Sequence, residues 1–171
     1  MSKLYAVIIP FVIMFSSTAF AEMKITSQGI IGPKIQKVYA CRNKGGKDLS
    51  PQISVTGIPN DATHLAIIID DPDAKSVAGK IWIHWNVFNI PVNGKSYNLE
   101  SGEKPLGKIA SNSWGYRKYG GMCPPNGKHT YRFGVFALNS EIKARTRTID
   151  LFKKKNKNTI VGEALIEGDF R

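Results

Sequence analysis

Carboxylate, imidazole and phenol side chains occur in two short segments of this sequence, both rich in turn-forming residues. Three carboxylates surround a proline in Asp70-Asp71-Pro72-Asp73, and His84 follows on the next predicted strand. The second segment, residues 120–131, is rich in glycine and proline and ends with His129 and Tyr131. Imidazole and phenol groups donate hydrogen bonds, and loop amides can form a nest for an anion. The pattern therefore suits a pocket for a small anion, in which a carboxylate could accept from a ligand hydroxyl or ammonium group.

The same residues also allow an interpretation without a ligand. Aspartates beside a proline hydrogen-bond the local backbone in ordinary turns, and His84 could be a core residue whose hydrogen bonds are satisfied. No serine or cysteine nucleophile accompanies the histidines in the sequence, so we expect no enzymatic activity. No Cys-x-x-Cys or histidine-rich spacing indicates a metal site, and we expect no cofactor.

Apolar runs around these segments predict the strands that position them. Leu65–Ile69 indicates a buried strand that ends at the aspartates, because Pro72 cannot continue a central strand. If a return strand at Ile81–Asn89 is its neighbour, Asp71 at the rim lies close to His84. Strict alternation along the return strand places Ile81, Ile83, Trp85 and Val87 on one face and Trp82, His84, Asn86 and Phe88 on the other.

Further strands are predicted along the whole chain. Thr130–Leu138 alternates so that Tyr131, Phe133, Val135 and Ala137 share a face. Thr148 is the predicted N-cap of a helix over Ile149–Lys155, and a helical turn near Asn158–Val161 precedes a final strand at Glu163–Phe170. Shorter strand candidates are Met23–Thr26, Ile35–Tyr39, Gln52–Val55 and Ser96–Leu99. Many short strands with few helices predict a mainly β, antiparallel fold.

Residues 1–21 have the pattern of a secretory signal peptide. Lys3 supplies the positive start, residues 6–15 are apolar, and Ala19-Phe20-Ala21 fits the small-x-small cleavage pattern. We therefore expect cleavage, a single domain over residues 22–171, and a periplasmic or secreted location. A retained N-terminal anchor is the alternative, although the apolar run is short of the ~20 residues that a membrane span needs.

The chain is strongly basic, with 24 lysine and arginine residues against 13 aspartate and glutamate residues and a formal net charge of +11. Such a charge favours anionic partners through long-range attraction. Export argues against nucleic acid and leaves an anionic membrane surface or an acidic protein surface as candidate partners. A solvated, lysine-rich surface without any partner also accounts for the charge.

Two cysteines, Cys41 and Cys123, are present. In an exported protein a disulfide between them is the leading expectation, and it would close a long loop. Free thiols or half of a metal site are the alternatives.

Together these motifs resemble the phosphatidylethanolamine-binding protein family, also called Raf kinase inhibitor-like proteins, in its small bacterial form. The resemblance covers nearly all of the chain after residue 21. Each motif alone is weak evidence for the family, but the order and spacing of all of them together are specific to it. The motifs are Asp71-Pro-Asp-Ala74, Trp82-x-His84 with Asn89-Ile90-Pro91, Tyr119-Gly-Gly-x-Cys-Pro-Pro125, His129-x-Tyr131 and Val135-x-Ala137-Leu138.

The resemblance implies a β-sandwich-like fold of antiparallel sheets with short peripheral helices and a pocket for phosphate-type anions. Asp73 matches a family position but is expected mainly to hold the loop, and His64 lies outside the motifs. The matching positions that would line the pocket are Asp71, His84, His129 and Tyr131, with walls from Trp82, the backbone of Gly121 to Cys123, and Pro124.

Three features depart from the family pattern. Lys75 stands where the family usually has a proline, so we expect a less rigid loop and a more positive rim. Cys123 stands where eukaryotic relatives have glycine, and a bond to Cys41 would tie the pocket loop down, so reduction should loosen the pocket. The C-terminus lacks the long helix that closes one side of the pocket in eukaryotic relatives. We therefore expect a more open pocket, and we do not extend the lipid specificity of the eukaryotic relatives to this chain.

These features predict a periplasmic binding protein for a phosphate-type anion, either a phospholipid headgroup or a phosphorylated group. The alternative is an inhibitor or regulator of a periplasmic or host protein that uses the pocket rim, as family members that resemble kinase and protease inhibitors do. A hydrolase that uses Asp71 with His84 or His129 as acid and base is a third, weaker hypothesis.

Overall fold

The computed structural model describes residues 22–171, and the predicted signal peptide, residues 1–21, lies outside the described residues. No helix within residues 22–171 is long and apolar enough to cross a membrane. Two short helices, α1 (Lys75–Ala78) and α2 (Ile149–Asn156), accompany the strands of this range. These strands are β1 (Lys24–Thr26), β2 (Ile30–Ile31), β3 (Lys34–Ile35), β4 (Ile53–Thr56), β5 (His64–Asp71), β6 (Trp82–Pro91), β7 (Ser96–Leu99), β8 (Lys108–Ile109), β9 (His129–Leu138) and β10 (Ile160–Phe170).

The strands form two sheets. The smaller sheet has the order β1-β4-β7, and the larger has the order β2-β3-β10-β9-β5-β6-β8. β5 lies near the centre of the larger sheet and pairs antiparallel with both β6 and β9. Pairing is antiparallel throughout except for a parallel contact between β3 and β10. The predicted mainly β, sandwich-like fold with short peripheral helices is confirmed.

The main hydrophobic core joins the two sheets. Ile25, Val55 and Leu99 from the small sheet belong to one cluster with Ile67 and Ile69 from β5. The alternation predicted for β9 is confirmed, since four alternate residues of that strand enter the same cluster: Tyr131, Phe133, Val135 and Ala137. Burying this set fixes the register of β9, because a slip of one residue would turn it away from the core.

Helix α2 covers the opposite face of the large sheet. The Thr148 hydroxyl accepts a hydrogen bond from the Leu151 backbone N–H at 3.3 Å, so the helix begins at the predicted cap. Phe152 on its inner side packs against Phe88 and Phe136, with ring centroids 5.6 and 4.9 Å apart. These rings belong to a second hydrophobic cluster, which packs α2 against the face of β5, β6 and β9 that is opposite the main core.

The face assignment predicted for β6 is wrong at Trp82, Ile83 and His84. Ile69 pairs with Trp85 and Asp70 pairs with Ile83, so His84 is an extra residue in the ladder, a β-bulge. A bulge interrupts strict alternation. Ile83 therefore lies opposite Asp70 and not on the face of Trp85, whereas His84 is turned towards Tyr131 and away from the side of Phe88.

Two local predictions are correct only in part. The helical turn expected near Asn158–Val161 is limited to residues 157–159, where the Thr159 N–H donates to the Asn156 carbonyl at 2.9 Å, because β10 begins at Ile160 and pairs with β9. The strand expected at Ile35–Tyr39 is limited to its first residue, and Lys37–Tyr39 forms a 3₁₀ turn in which the Ala40 N–H donates to the Lys37 carbonyl at 3.0 Å.

Candidate functional site

A buried, hydrogen-bonded Asp–His pair lies where β5 ends beside the start of β9. Asp71 is the last residue of β5, and its Oδ2 lies 2.7 Å from Nδ1 of His129, the first residue of β9. Both side chains are about 5% exposed or less. The other carboxylate oxygen of Asp71 accepts from the Ala74 backbone N–H at 3.0 Å, which closes the turn after the strand. The sequence placed both residues in the site but not the bond between them.

Asp73 holds the same corner together. Its Oδ2 accepts from the Thr130 backbone N–H at 2.8 Å, so the loop after β5 is tied to the start of β9. This is the loop-holding role expected for Asp73. Pro72 lies between the two aspartates and ends β5.

His84 lies in the bulge of β6 and is almost fully buried, with 2% of its surface exposed. Its Nδ1 lies 2.8 Å from the Gly120 carbonyl oxygen. The edges of two aromatic rings, Trp114 and Tyr131, approach the imidazole at centroid distances of 5.2 Å each. Burial is the largest influence on this group and lowers the pKa of His84 below its ordinary value, against the opposing effect of the Gly120 carbonyl.

Two buried hydrogen-bond donors close to these histidines have no partner within residues 22–171. They are Tyr131 Oη and Trp82 Nε1. Tyr131 is fully buried between His84 and His129, with ring centroids 5.2 and 6.4 Å away. Burial and then the negative charge of Asp71 raise the pKa of Tyr131 far above its ordinary value, against the smaller opposing effect of the Cys123 backbone N–H, which is directed at the phenol oxygen. The phenol therefore keeps its proton, and this proton has no acceptor within residues 22–171. Trp82 pairs with Asp71 across β5 and β6.

Unpartnered buried donors are rare in folded proteins, because each one loses its hydrogen bonds to water without compensation. A third such donor, Trp85 Nε1, belongs to the main core and packs against Tyr119. The other two belong to the residues around the histidines: Tyr131 contacts both His84 and His129, and Trp82 contacts Trp114, which also contacts His84. A ligand oxygen would satisfy such donors.

The glycine-rich loop forms the wall beside His84. Gly121 lies so close to residues 40 and 41 that a Cβ atom built on it would be 2.4 Å from the Cys41 nitrogen. Its N–H donates to Asp48 Oδ1 at 3.0 Å. Cys123 forms a disulfide with Cys41, as predicted, and the adjacent Pro124 is buried. The loop is therefore held by a covalent bond, a hydrogen bond and close backbone packing.

Sequence reasoning missed Trp114, which covers part of the site. Its ring lies edge-on to both Trp82 and His84, at centroid distances of 5.3 and 5.2 Å. Asn112 fixes the turn that carries it, accepting from the backbone N–H groups of Trp114 and Tyr116 at 3.0 and 3.1 Å. The sequence offered one indication of its role, a tryptophan among turn-forming residues. The segment around it has neither the helical nor the strand spacing of apolar residues.

Two surface depressions include neighbours of the cluster in their lining, and neither is lined by His84, Tyr131 or Trp82. One is a broad depression of about 890 Å³ that includes Asp73, Lys75, Lys128 and His129 in its lining. The other is a groove of about 270 Å³ that reaches Gly121, Cys123 and Trp114. No group of three or more histidine, cysteine, aspartate or glutamate side chains in residues 22–171 is arranged to hold a metal ion.

Two packed β-sheets with a buried Asp–His pair, a second histidine and an unpartnered tyrosine at one end define a β-sandwich protein with a buried polar cluster. This chain belongs to the phosphatidylethanolamine-binding protein family, because the family model of that description matches residues 25–171. The match spans both sheets and every residue of the cluster.

Relatives from bacteria and archaea are similar over most of their length. A UPF0098 protein of Methanothermobacter thermautotrophicus is 35% identical over 144 residues, which cover 81% of this chain and 91% of the relative. The UPF0098 protein YbcL of Escherichia coli is 34% identical over 140 residues, 75% of each chain.

Two solved structures share the fold. A homologue from Chlamydia trachomatis, CT736, described as a phosphatidylethanolamine-binding protein homologue, superposes with a TM-score of 0.75 at 30% identity and covers 88% of this chain and 97% of its own. The structure of Escherichia coli YbcL, described as a new member of the mammalian family, gives a TM-score of 0.74 at 27% identity and covers 88% and 99%.

Proposed function

We propose that this chain is a non-enzymatic binding protein for a small phosphate-type anion, held at the cluster of His84, His129 and Tyr131. The observation that carries the proposal is the pair of buried donors without partners, Tyr131 Oη and Trp82 Nε1. An anion oxygen would accept from both groups, and charge-assisted hydrogen bonds of this kind are about twice as strong as neutral ones. The net charge of +11 adds a long-range attraction.

Action outside the cytoplasm is part of the same proposal. The Cys41–Cys123 disulfide supports it, because such bonds persist in oxidising compartments. The signal-peptide pattern of residues 1–21 supports it from the sequence.

Calorimetric titration of the oxidised protein with inorganic phosphate and with phosphorylethanolamine tests the proposal. We expect one saturable site, and Tyr131→Phe should weaken it roughly 10- to 100-fold, the loss of one hydrogen bond to a charged group. The variant should fold normally, since the hydroxyl it removes has no partner within residues 22–171. Tyr97→Phe, a matched change on β7 of the small sheet, should leave binding unchanged.

His84→Ala extends the test to the imidazole. We expect anion binding to be lost while unfolding stays cooperative. Unchanged affinity in both Tyr131→Phe and His84→Ala would contradict the pocket assignment.

Regulation of a protein partner is the second candidate, and the pocket rim favours it. Tyr116 and Trp114 are 60% and 41% exposed, and Lys118 lies over the Tyr116 ring at 5.5 Å. Exposed aromatic side chains of this kind are enriched at protein interfaces. If phosphate produced no heat, a stoichiometric complex with a periplasmic protein that Tyr116→Ala fails to form would favour this function.

A further inference from the structure

The two histidines of the pocket have the same ring nitrogen occupied. Nδ1 of His84 faces the Gly120 carbonyl oxygen, which can only accept, so the Nδ1 atom carries a proton. Nδ1 of His129 donates in the same way to Asp71 Oδ2. Neither Nε2 atom has a hydrogen-bond partner within residues 22–171. A ligand can therefore reach these rings only through Nε2.

The surroundings of His84 determine whether its Nε2 donates or accepts. The ring is 2% exposed and is flanked by the Trp114 and Tyr131 rings. Burial, the largest effect, lowers the pKa of His84, and the nearby His129 acts in the same direction. The carbonyls of Gly120 and Gly121 and the charge of Asp71 oppose this effect. The neutral ring has its proton on Nδ1, so its Nε2 atom presents a lone pair.

We infer that this pocket selects anions that carry a proton of their own, which means hydrogen phosphate and singly protonated phosphate monoesters in preference to phosphodiesters and sulfates. The inference rests on the proposed function. A lone pair on Nε2 repels an anion oxygen unless a hydrogen lies between them, and a hydrogen phosphate or a singly protonated monoester can supply that O–H. The Tyr131 hydroxyl and the Trp82 N–H then donate to the other oxygens of the ligand.

The selection follows from a count of donors and acceptors. A phosphodiester or a sulfate has only acceptors at neutral pH, so it would need His84 to take a proton from solvent. That proton would place a charge on a buried ring, which is the state that burial opposes. A mismatch of this kind at a buried polar site gives strong discrimination between ligands of equal shape, because a group is left unpaired.

Phosphate and sulfate form the matched pair of probes. Above neutral pH both are tetrahedral dianions, and they differ by one O–H group. In calorimetric titrations of the oxidised protein at pH 8 and constant ionic strength, we expect phosphate to bind at least tenfold more tightly than sulfate. The affinity for sulfate should be higher at pH 5.5 than at pH 8, because a lower pH favours the protonated His84 ring, whose Nε2 donates.

The outcomes separate this inference from the proposed function. Equal affinities for phosphate and sulfate at pH 8 would overturn the inference and leave the anion-binding proposal intact. No heat with phosphate at either pH would overturn both. Methyl phosphate and dimethyl phosphate repeat the comparison with a monoester and a diester at pH 6, close to the second pKa of a phosphate monoester, where the monoester still carries a proton. A diester of equal affinity would point to a phospholipid headgroup as the ligand.

His84→Asn tests the residue itself. The asparagine amide nitrogen takes the place of Nδ1 and can still donate to Gly120, whereas the Nε2 acceptor is removed. We expect the preference for phosphate over sulfate to fall below about threefold in a variant that still unfolds cooperatively. His64→Asn, a matched change at the start of β5, should retain the wild-type preference. A preference that survives in His84→Asn would overturn the assignment of selectivity to His84.

Discussion

Asp70 and Asp71 are adjacent in the sequence, but their side chains lie on opposite faces of the large sheet. Asp71 faces the pocket and binds His129. Asp70 faces α2, is fully buried, and accepts from Arg132 Nε and Nη2 at 2.8 and 2.9 Å and from the Ile149 N–H at 2.9 Å. One carboxylate therefore belongs to the candidate site, and its neighbour anchors the helix behind the site.

Removal of Arg132 should show how far Asp70 depends on its partner. Burial, the largest effect, raises the pKa of Asp70, and hydrogen bonds from Arg132 and Ile149 oppose the rise. Arg132→Met leaves a buried carboxylate with only the backbone donor. We expect the free energy of unfolding to fall by roughly 3–5 kcal/mol at pH 8, the usual range for a broken buried pair.

The loss should depend on pH in a defined direction. Without Arg132 the pKa of folded Asp70 rises further above its unfolded value near 3.8. Stability in the variant is therefore retained at low pH and lost as the pH rises. Urea unfolding should show a smaller deficit at pH 5 than at pH 8, and an equal deficit would contradict the argument. Asp150→Asn removes the exposed partner of Arg132 and should cost less than about 1 kcal/mol.

At the scale of elements, strand patterns were predictable where one periodicity held along the whole strand. β9 buries its alternate residues as predicted, and Thr148 caps α2, because local chemistry determines both. β6 could not be assigned correctly from alternation, since the bulge at His84 depends on its pairing with β5. The site was predictable as a set of residue types, whereas its hydrogen bonds and the position of Trp114 depend on contacts distant in sequence.

The close approach of the glycine-rich loop to the turn at Cys41 makes a specific prediction. Gly121→Ala would place a methyl group 2.4 and 2.5 Å from backbone atoms of Cys41 and Ala40, which cannot move independently. We expect a loss of roughly 1–3 kcal/mol of unfolding free energy, as for other overpacked positions, together with weaker phosphate binding as the wall shifts. Thermal unfolding and calorimetry measure the two effects. Wild-type stability and affinity in the variant would contradict the packing described for this loop.

At the scale of the whole molecule, the disulfide joins parts of the chain that are 82 residues apart. It ties the pocket loop to the segment between β3 and β4. Two hydrogen bonds support the same contact. The Cys41 N–H donates to the Met122 carbonyl at 3.0 Å, and the Gly121 N–H donates to Asp48 at 3.0 Å. Both bonds can persist after reduction, so the covalent link mainly limits how far the loop can move.

Loss of the disulfide should therefore weaken both the fold and the pocket without abolishing either. In a variant with both Cys41→Ser and Cys123→Ser, we expect the free energy of unfolding to fall by roughly 2–5 kcal/mol, since the unfolded chain regains the freedom of a long loop. Phosphate affinity should fall by up to about tenfold, equivalent to about 1.4 kcal/mol. Reductant should bring the wild-type protein to the same affinity and leave the variant unchanged. Wild-type affinity in the variant would show that the hydrogen bonds alone hold the pocket wall, and a reductant effect on the variant would show that the thiols are not its cause.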